Sequence, residues 1–141
     1  MKKQKRYIGI VGTRRRIMMV DRKAVWLAFI KLQKKLKKKG FEVIIVSGGC
    51  HAGADSFAEE IAEKLKVKII IHKIRRDKMK LDKNGKPKKF EFTKQAYARN
   101  KLIALNSHYL IACVSRDRTG GTENTIEHFL KHKNEKRLIL C

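Results

Sequence analysis

The chain alternates short apolar runs with longer segments in which apolar residues recur every three or four positions. The short runs are rich in β-branched residues and are bounded by glycine or polar residues, which indicates buried strands. They cover residues 7–11, 42–49, 67–74, 108–115 and 137–141. The amphipathic segments between them predict helices. These cover residues 21–39, 54–66, 92–107 and 120–133.

This order of elements predicts an α/β fold. Strands that are apolar along their whole length are typical of a parallel sheet covered by helices on both faces, because neither face meets water. With right-handed crossovers, we predict a Rossmann-like three-layer sandwich with a mainly parallel sheet of about five strands. The chain has 141 residues, one proline and no linker-like stretch, so we expect residues 1–141 to form a single domain.

Three loops that follow predicted strands are rich in glycine and polar residues. They read "GTRRR" after the first strand, "SGGCHAGAD" after the second and "SRDRTGGTEN" after the fourth. The carboxyl ends of parallel strands share one edge of the sheet, and open α/β sheets bind their ligands there. Glycine lets backbone N–H groups approach an anion at the start of a helix. We therefore expect a phosphate-type site at this edge.

Several familiar sites are missing from the sequence. GxGxxG does not follow the first strand and no acidic residue ends the second, which disfavours NAD, and the P-loop motif is absent. The three cysteines, Cys50, Cys113 and Cys141, have no zinc-binding spacing, so we expect reduced thiols, no metal and no other cofactor. We interpret Cys50 as a small residue rather than a nucleophile, because a nucleophilic thiol needs a base held against it.

The chain is strongly basic, with 36 Lys and Arg against 13 Asp and Glu and a net charge of +23 at pH 7. This excess favours a polyanionic or phosphorylated partner, and a solvated basic surface is the alternative. The irregular stretch at residues 75–91, which we call the basic loop, contains eight basic residues: Arg75, Arg76, Lys78, Lys80, Lys83, Lys86, Lys88 and Lys89. We expect these side chains to contact a nucleic-acid backbone, and their repulsion to keep the loop mobile otherwise.

Nothing in the sequence indicates a membrane protein. No apolar stretch approaches the roughly 18 residues that a membrane helix needs. The first residues, "MKKQKRYIGIVG", are basic but contain only a short apolar run before "TRRR". We therefore expect a cytoplasmic protein without a membrane partner.

Two segments of the chain resemble the SLOG superfamily. They read "VSGGCHAGADSFAEEIA" and "YARNKLIALNSHYLIACVSRDRTGGTENTI", and "IGIVGTRR" precedes them as the first element of the family. The resemblance extends from Tyr7 to about Phe129. It is closest to the branch that contains the DNA-processing protein DprA (Smf) and the small DUF2493 proteins. It implies a Rossmann-like domain that binds a nucleotide or nucleotide-derived ligand or, as in DprA-like members, single-stranded DNA. It also implies that homo-oligomers are common.

The resemblance assigns candidate ligand-binding residues. In the three glycine-rich loops and the RN pair of the third helix they are Gly12, Thr13, Arg14, Gly48, Gly49, Gly53, Ala54, Asp55, Arg99, Asn100, Gly120, Gly121 and Thr122. His51 is added because its ring can bond a phosphate or a base edge. Arg99 offers a planar fork for phosphate, and an ion pair with Asp55 or Glu123 is its structural alternative.

The cytokinin-activating LOG phosphoribohydrolases, a sister branch, resemble the chain in the same places. Their signature PGGxGTxxE ends in a catalytic glutamate, whereas the corresponding residue here is Thr125. The candidates to replace that glutamate are Glu123, which we include in the ligand site, and Glu127. Asp55 is the other carboxyl group that could stabilise developing charge. Three functions are therefore weighed: nucleotide binding, single-stranded DNA binding and N-glycosidic hydrolysis. The residues leave open whether any reaction is catalysed.

Overall fold

A computed structural model of the protein describes residues 2–50 and 52–141, in which strands and helices alternate along the chain. The strands are β1 (Lys5–Gly12), β2 (Glu42–Ser47), β3 (Lys68–Ile71), β4 (Tyr109–Cys113) and β5 (Leu138–Leu140). The helices are α1 (Met19–Lys38), α2 (Ala54–Leu65), α3 (Glu91–Asn106) and α4 (Gly121–His132). The predicted α/β fold with a five-stranded sheet is confirmed.

All five strands run parallel, in the order β3-β2-β1-β4-β5. Strand β1 lies at the centre, where Ile8 is in register with Ile45 of β2 and with Tyr109 of β4. The chain leaves β1 for β2 on one side and returns through α3 to β4 on the other. The loops that follow β1 and β4 therefore diverge. They leave a crevice at the carboxyl edge of the sheet, where open α/β sheets hold their ligands.

Two apolar layers cover the sheet. Helices α1 and α2 pack on one face, and α3 and α4 pack on the other. Side chains alternate along β4, so that Ile111 and Cys113 join the first layer while Leu110 and Ala112 join the second. Both faces of the strand are thus dry, which explains its uninterrupted apolar sequence. Burial raises the pKa of the Cys113 thiol to about 11, so this thiol stays protonated at neutral pH.

Local signals in the sequence set the two ends of α1. The Oδ2 atom of Asp21 accepts a hydrogen bond from the Met18 N–H at 3.0 Å, which satisfies a donor at the start of the helix. The Arg16 Nε donates to Oδ1 of the same carboxylate at 2.9 Å and so holds the loop after β1 against α1. Gly40, with a φ of +86°, follows the helix as the glycine predicted to end it.

The basic loop has a defined structure of its own. Leu81 and Pro87 form an antiparallel bridge, and the Asp82 Oδ1 between them accepts hydrogen bonds from the backbone N–H groups of Asn84 at 2.8 Å and Lys86 at 3.0 Å. These hydrogen bonds define a turn within the loop, and the mobility that we expect from like-charge repulsion stays a prediction. A single aspartate in a turn thus organises the surrounding lysines.

Candidate functional site

A cavity of about 420 Å³ opens at the crevice between the ends of β1 and β4. Many of the residues predicted to bind a ligand line it: Gly12, Thr13, Arg14, Asp55, Arg99, Asn100, Gly120, Gly121 and Thr122. Gly48 and Gly49 line an adjoining groove instead. Gly53, Ala54 and Glu123 lie outside both linings, and the predicted residue His51 lies outside the described residues. The fold therefore brings parts of all three glycine loops to one place.

The first turn of α4 forms one wall of the cavity. Gly120 precedes the helix with a φ of +100°, a conformation that glycine adopts without strain. Within the described residues no side chain caps this helix, so the N–H groups of Gly121 and Thr122 keep their hydrogen-bonding capacity beside the cavity. The helix dipole adds positive potential at the same end. This wall therefore suits an anionic group.

The second glycine loop is occupied by a carboxylate of the protein. The Asp55 side chain accepts a hydrogen bond from the backbone N–H of Cys50 at 3.1 Å, and the Gly48 N–H also favours its charged form. The Gly49 N–H points to the Ser47 Oγ at 3.4 Å. Burial raises the pKa of Asp55 to about 6, against the opposing effects of these N–H groups and of the Arg99 charge. We expected this loop to offer its N–H groups to a ligand, but the Cys50 N–H donates to Asp55 and the Gly49 N–H to the Ser47 Oγ.

Arg99 crosses from α3 to the second loop. Its Nη1 donates to the Gly48 carbonyl at 2.9 Å, and its Nε donates to the Asn100 Oδ1 at 3.0 Å. A methyl group on Gly48 would overlap this guanidinium, which explains the glycine at that position. Arg99 forms no ion pair with any described carboxylate, and Glu123 pairs instead with Arg118 at 2.8 Å. The alternative in which Arg99 serves an ion pair with Glu123 is therefore wrong.

Asn100 connects the two helices on that side of the cavity. It is buried, and its Nδ2 donates to the Gly121 carbonyl and to the Asn124 Oδ1, each at 3.2 Å. Its Oδ1 accepts from Arg99 at the same time. The asparagine thus fixes the arginine and the start of α4 relative to each other.

Arg15, which the sequence did not single out, joins the loops after β1 and β4. Its guanidinium forms two hydrogen bonds with Asp117, at 3.0 and 3.1 Å, and one with the Thr119 Oγ1 at 3.1 Å. Arg15, Thr119 and Ser115 together hold the pKa of the Asp117 carboxyl well below its usual range. The neighbouring Arg14 is exposed at the cavity and makes no side-chain hydrogen bond to the described residues. Arg14 and Arg99 are therefore the cations best placed for a ligand.

An apolar wall faces the polar one, and the sequence reasoning missed it. Phe92, Ala96 and Tyr97 of α3 line the cavity together with Ile74, which follows β3. Phe92 and Tyr97 are 44% and 48% exposed, and the Arg76 guanidinium lies 5.7 Å from the centre of the Phe92 ring, so the Tyr97 ring is the more open to a ligand. Phe92 lies one helical turn before Ala96, and Ala96 one turn before Asn100. Extending that pattern backwards by one turn would have predicted Phe92.

The cavity continues into a groove of about 730 Å³ that runs toward the basic loop. Both are lined by Arg14, Arg99 and Phe92, and the groove is also lined by Lys73 and Arg76. All eight basic side chains of the loop are exposed, as predicted, but seven of them lie beyond the groove lining: Arg75, Lys78, Lys80, Lys83, Lys86, Lys88 and Lys89.

The base of the basic loop is attached to α3. The Glu91 carboxylate is buried, and its Oε1 accepts a hydrogen bond from the Lys80 N–H at 3.0 Å. Arg75 forms an ion pair with Asp77 at 2.7 Å, so not all of the loop's charge is free for a ligand. The loop therefore adds a fixed basic margin to the groove.

Two kinds of feature are missing from the part of the chain that the structure describes. No group of three His, Cys, Asp or Glu side chains is arranged to hold a metal ion. None of the described helices has both the length and the apolar character needed to cross a membrane.

Comparison with known proteins bears on the fold alone. No family model matches the chain, and no curated protein matches it. A solved structure that is similar to it is the molybdenum cofactor binding protein from the phototrophic bacterium Rippkaea orientalis, with a TM-score of 0.60 and 21% sequence identity. The alignment covers 99% of this chain and 77% of that one. This likeness supports the Rossmann-like fold, and membership of a SLOG branch remains a prediction.

Proposed function

We propose that the protein binds a nucleotide, or a nucleotide-derived ligand, in the carboxyl-edge cavity. The observation that carries this proposal is the pairing of two unlike walls in one cavity. The start of α4 with Arg14 and Arg99 suits a phosphate, and Phe92 with Tyr97 suits a flat ring. Phosphate groups favour helix N-termini and guanidinium forks, and aromatic side chains stack on bases.

The size of the cavity fits this assignment. Small-molecule sites in proteins usually have volumes of roughly 300–1,000 Å³, and this cavity of about 420 Å³ lies at the lower end of that range. In the proposed pose, the phosphate accepts hydrogen bonds from the N–H groups of Gly121 and Thr122 and from Arg99. The base lies against Tyr97 and Phe92. Asp55 lies beneath the second loop and takes no direct part.

The structural neighbour suggests a second ligand to test. Its title names a molybdenum cofactor as what that protein binds. We therefore include that cofactor beside the nucleotides in the binding experiment.

The test is isothermal titration calorimetry with AMP, GMP, CMP, UMP and the molybdenum cofactor on the whole chain. We expect micromolar to millimolar binding of at least one of them, and a loss of at least tenfold in affinity for Arg99→Gln and for Tyr97→Ala. Arg116→Gln is the matched control. Arg116 is exposed and lies outside the cavity lining, and its substitution removes the same charge as Arg99→Gln. If no nucleotide binds, or if the control weakens binding as much as Arg99→Gln, the proposed site is wrong.

Single-stranded DNA is the second candidate ligand, and the continuous groove toward the basic loop favours it. A polynucleotide contact releases many counterions, whereas a mononucleotide releases few. In a variant with Lys83, Lys86, Lys88 and Lys89 replaced by glutamine, the slope of log affinity against log salt for a single strand should fall by roughly 0.7 for each lost phosphate contact. AMP affinity should stay unchanged. An unaltered slope would exclude the basic loop from DNA binding.

Of the carboxyl groups that the sequence offers for N-glycosidic hydrolysis, Asp55 is the one that lines the cavity. Glu123 is paired with Arg118 away from the cavity lining, whereas Asp55 lines the cavity with a pKa raised to about 6. A carboxyl group with that pKa suits proton transfer near neutral pH. Chromatography for free base after incubation with the four mononucleotides tests this reaction, and Asp55→Asn is the variant that should abolish any base released.

A further inference from the structure

A second basic surface lies at the amino edge of the sheet, opposite the cavity. Every strand is parallel and every helix runs back between strands, so strand starts and helix ends share this edge. Four segments meet there: residues 2–6, 35–39, 64–68 and 131–137. Together they contain fifteen Lys and Arg and one acidic residue, Glu135. We call this surface the amino-edge face.

Most of these cations have no acidic partner in the structure. Segments 2–6 and 35–39 form no ion pair with any described residue. The ion pairs of the other two segments are Lys64 with Glu60, Lys68 with Glu42 and Lys131 with Glu127, at 3.1, 3.7 and 3.8 Å. Exposed pairs of this kind contribute little to stability. The face therefore keeps nearly all of its positive charge.

The folded chain by itself does not account for this concentration of charge. Cations in the last turn of a helix interact favourably with its dipole, which explains Lys35, Lys37 and Lys38. The dipole effect falls off within one turn and does not explain the lysines of segment 2–6, which lead into a strand. Like charges packed on one face destabilise a compact state by repulsion. A polyanion bound to this face would remove that cost.

The aromatic side chains of this edge are already covered. The Arg6 guanidinium lies 3.9 Å from the centre of the Phe41 ring, and Arg137 lies 5.1 Å from that of Tyr109. Proteins that bind single strands stack bases on open aromatic rings. Because the rings are covered, a nucleic acid would be bound here mainly through its phosphate groups. Phosphate contacts suit a base-paired duplex, whose bases are not exposed.

The dimensions also match a duplex. Five strands spaced about 4.8 Å apart give the edge a width of about 20 Å. A duplex of that length presents roughly 12 phosphate charges, counted over both strands. We propose that the amino-edge face binds the phosphate backbone of a nucleic-acid duplex, without sequence preference. Because the cavity lies at the opposite edge, a bound duplex leaves it open.

The experiment measures binding of a fluorescent duplex of about 24 base pairs, as DNA and as RNA, over a range of salt concentrations. The amino-edge variant replaces Lys35, Lys37, Lys38 and Lys39 with glutamine. The matched control replaces Lys23, Lys31, Lys94 and Arg116 with glutamine, four exposed cations outside this face and outside the basic loop, and so removes the same charge. We expect the amino-edge variant to lose about 0.9 in slope for each lost phosphate contact, and the control to keep the wild-type slope.

Circular dichroism checks that α1 stays folded in the amino-edge variant. If it does not, Lys2→Gln with Lys3→Gln and Lys5→Gln tests the same face outside any helix. Three results would each overturn the proposal. They are an equal loss of salt slope in both variants, a loss of salt slope in the control alone, and no duplex binding at 50 mM salt. Binding to phosphatidylserine vesicles without binding to a duplex would overturn it in favour of a membrane surface. AMP affinity in the amino-edge variant should equal that of the wild type.

Discussion

The Asp55 carboxylate accepts a hydrogen bond from the Cys50 N–H at 3.1 Å, so a side chain from the first turn of α2 lies inside the glycine loop that precedes the helix. The loop is therefore held by an internal anion. Asp55 is 8% exposed, and its burial makes the charged form costly. In the part of the chain that the structure describes, neither α2 nor α4 has a side-chain cap, and the proposed site uses the first N–H groups of α4 because Gly121 and Thr122 line the cavity.

Asp55 should make stability depend on pH in an unusual direction. Its pKa is raised from 3.8 to about 6, so the folded state holds the proton more tightly than the unfolded state. The stability it provides is fully present below a pH of about 3.8 and is lost as the pH rises through about 6, by roughly 3 kcal/mol. Asp55→Asn should remove this dependence. We therefore expect it to raise the free energy of unfolding in urea more at pH 7.5 than at pH 4.5.

The difference between variant and wild type isolates Asp55 from other carboxyl groups. Salt bridges lower the pKa values of Glu60 and Asp77, so the stability that these groups give the folded protein is lost as the pH falls. Their effects cancel in the difference. Equal changes at the two pH values would contradict the assignment.

Gly48→Ala should weaken nucleotide binding through Arg99. The added methyl would meet the guanidinium carbon at 2.9 Å and displace a side chain that we place on the phosphate. We expect a loss of at least fivefold in AMP affinity by calorimetry. In an Arg99→Ala background the same substitution should change affinity less than twofold, since the obstructed group is gone. Additive losses would mean that Gly48 acts independently of Arg99.

Asn100→Ala should cost stability and ligand affinity together. It leaves the partly buried Arg99 Nε without its acceptor and removes one hydrogen bond from the Gly121 carbonyl, which still accepts from the Thr125 Oγ1 at 3.3 Å. Unsatisfied buried polar groups cost about 1–3 kcal/mol. Asn124→Ala is the control, because it removes one of the same contacts at a less buried site, and we expect it to cost less than about 1 kcal/mol. Urea unfolding measures both, and equal costs would contradict a central role for Asn100.

Cys50→Ser should leave ligand affinity within a fewfold of the wild type. Only the backbone N–H of Cys50 forms a described hydrogen bond, and serine keeps that N–H. The side chain lines the cavity as a small group. Complete loss of binding or of any activity in a folded variant would show that the thiol itself takes part.

The periodicity of apolar residues was sufficient to predict the fold. The number and order of strands and helices follow from apolar runs that must be buried on both faces. Consecutive apolar residues such as Leu110 and Ile111 indicate this kind of burial directly. The parallel arrangement then places the loops after β1, β2 and β4 at one edge. The approximate position of the cavity could therefore be predicted without coordinates.

The division of roles within the site needed the tertiary structure. The sequence presents three similar glycine loops, and only the structure shows that the Asp55 carboxylate bonds to one of them. Arg15 looked incidental in the sequence, but its guanidinium bonds to Asp117, about a hundred residues away in the chain. Such choices depend on which side chains meet across elements, and no local pattern encodes those distances.

The placement of charge shows the same limit. The sequence determined the net charge of +23 and drew notice to the lysines clustered in the basic loop. The amino-edge face is assembled from four segments that are far apart along the chain, and only the parallel order of the strands brings them together. Composition determines how much charge a protein carries, whereas topology decides which charges share a surface, because electrostatic effects act through space and not along the sequence.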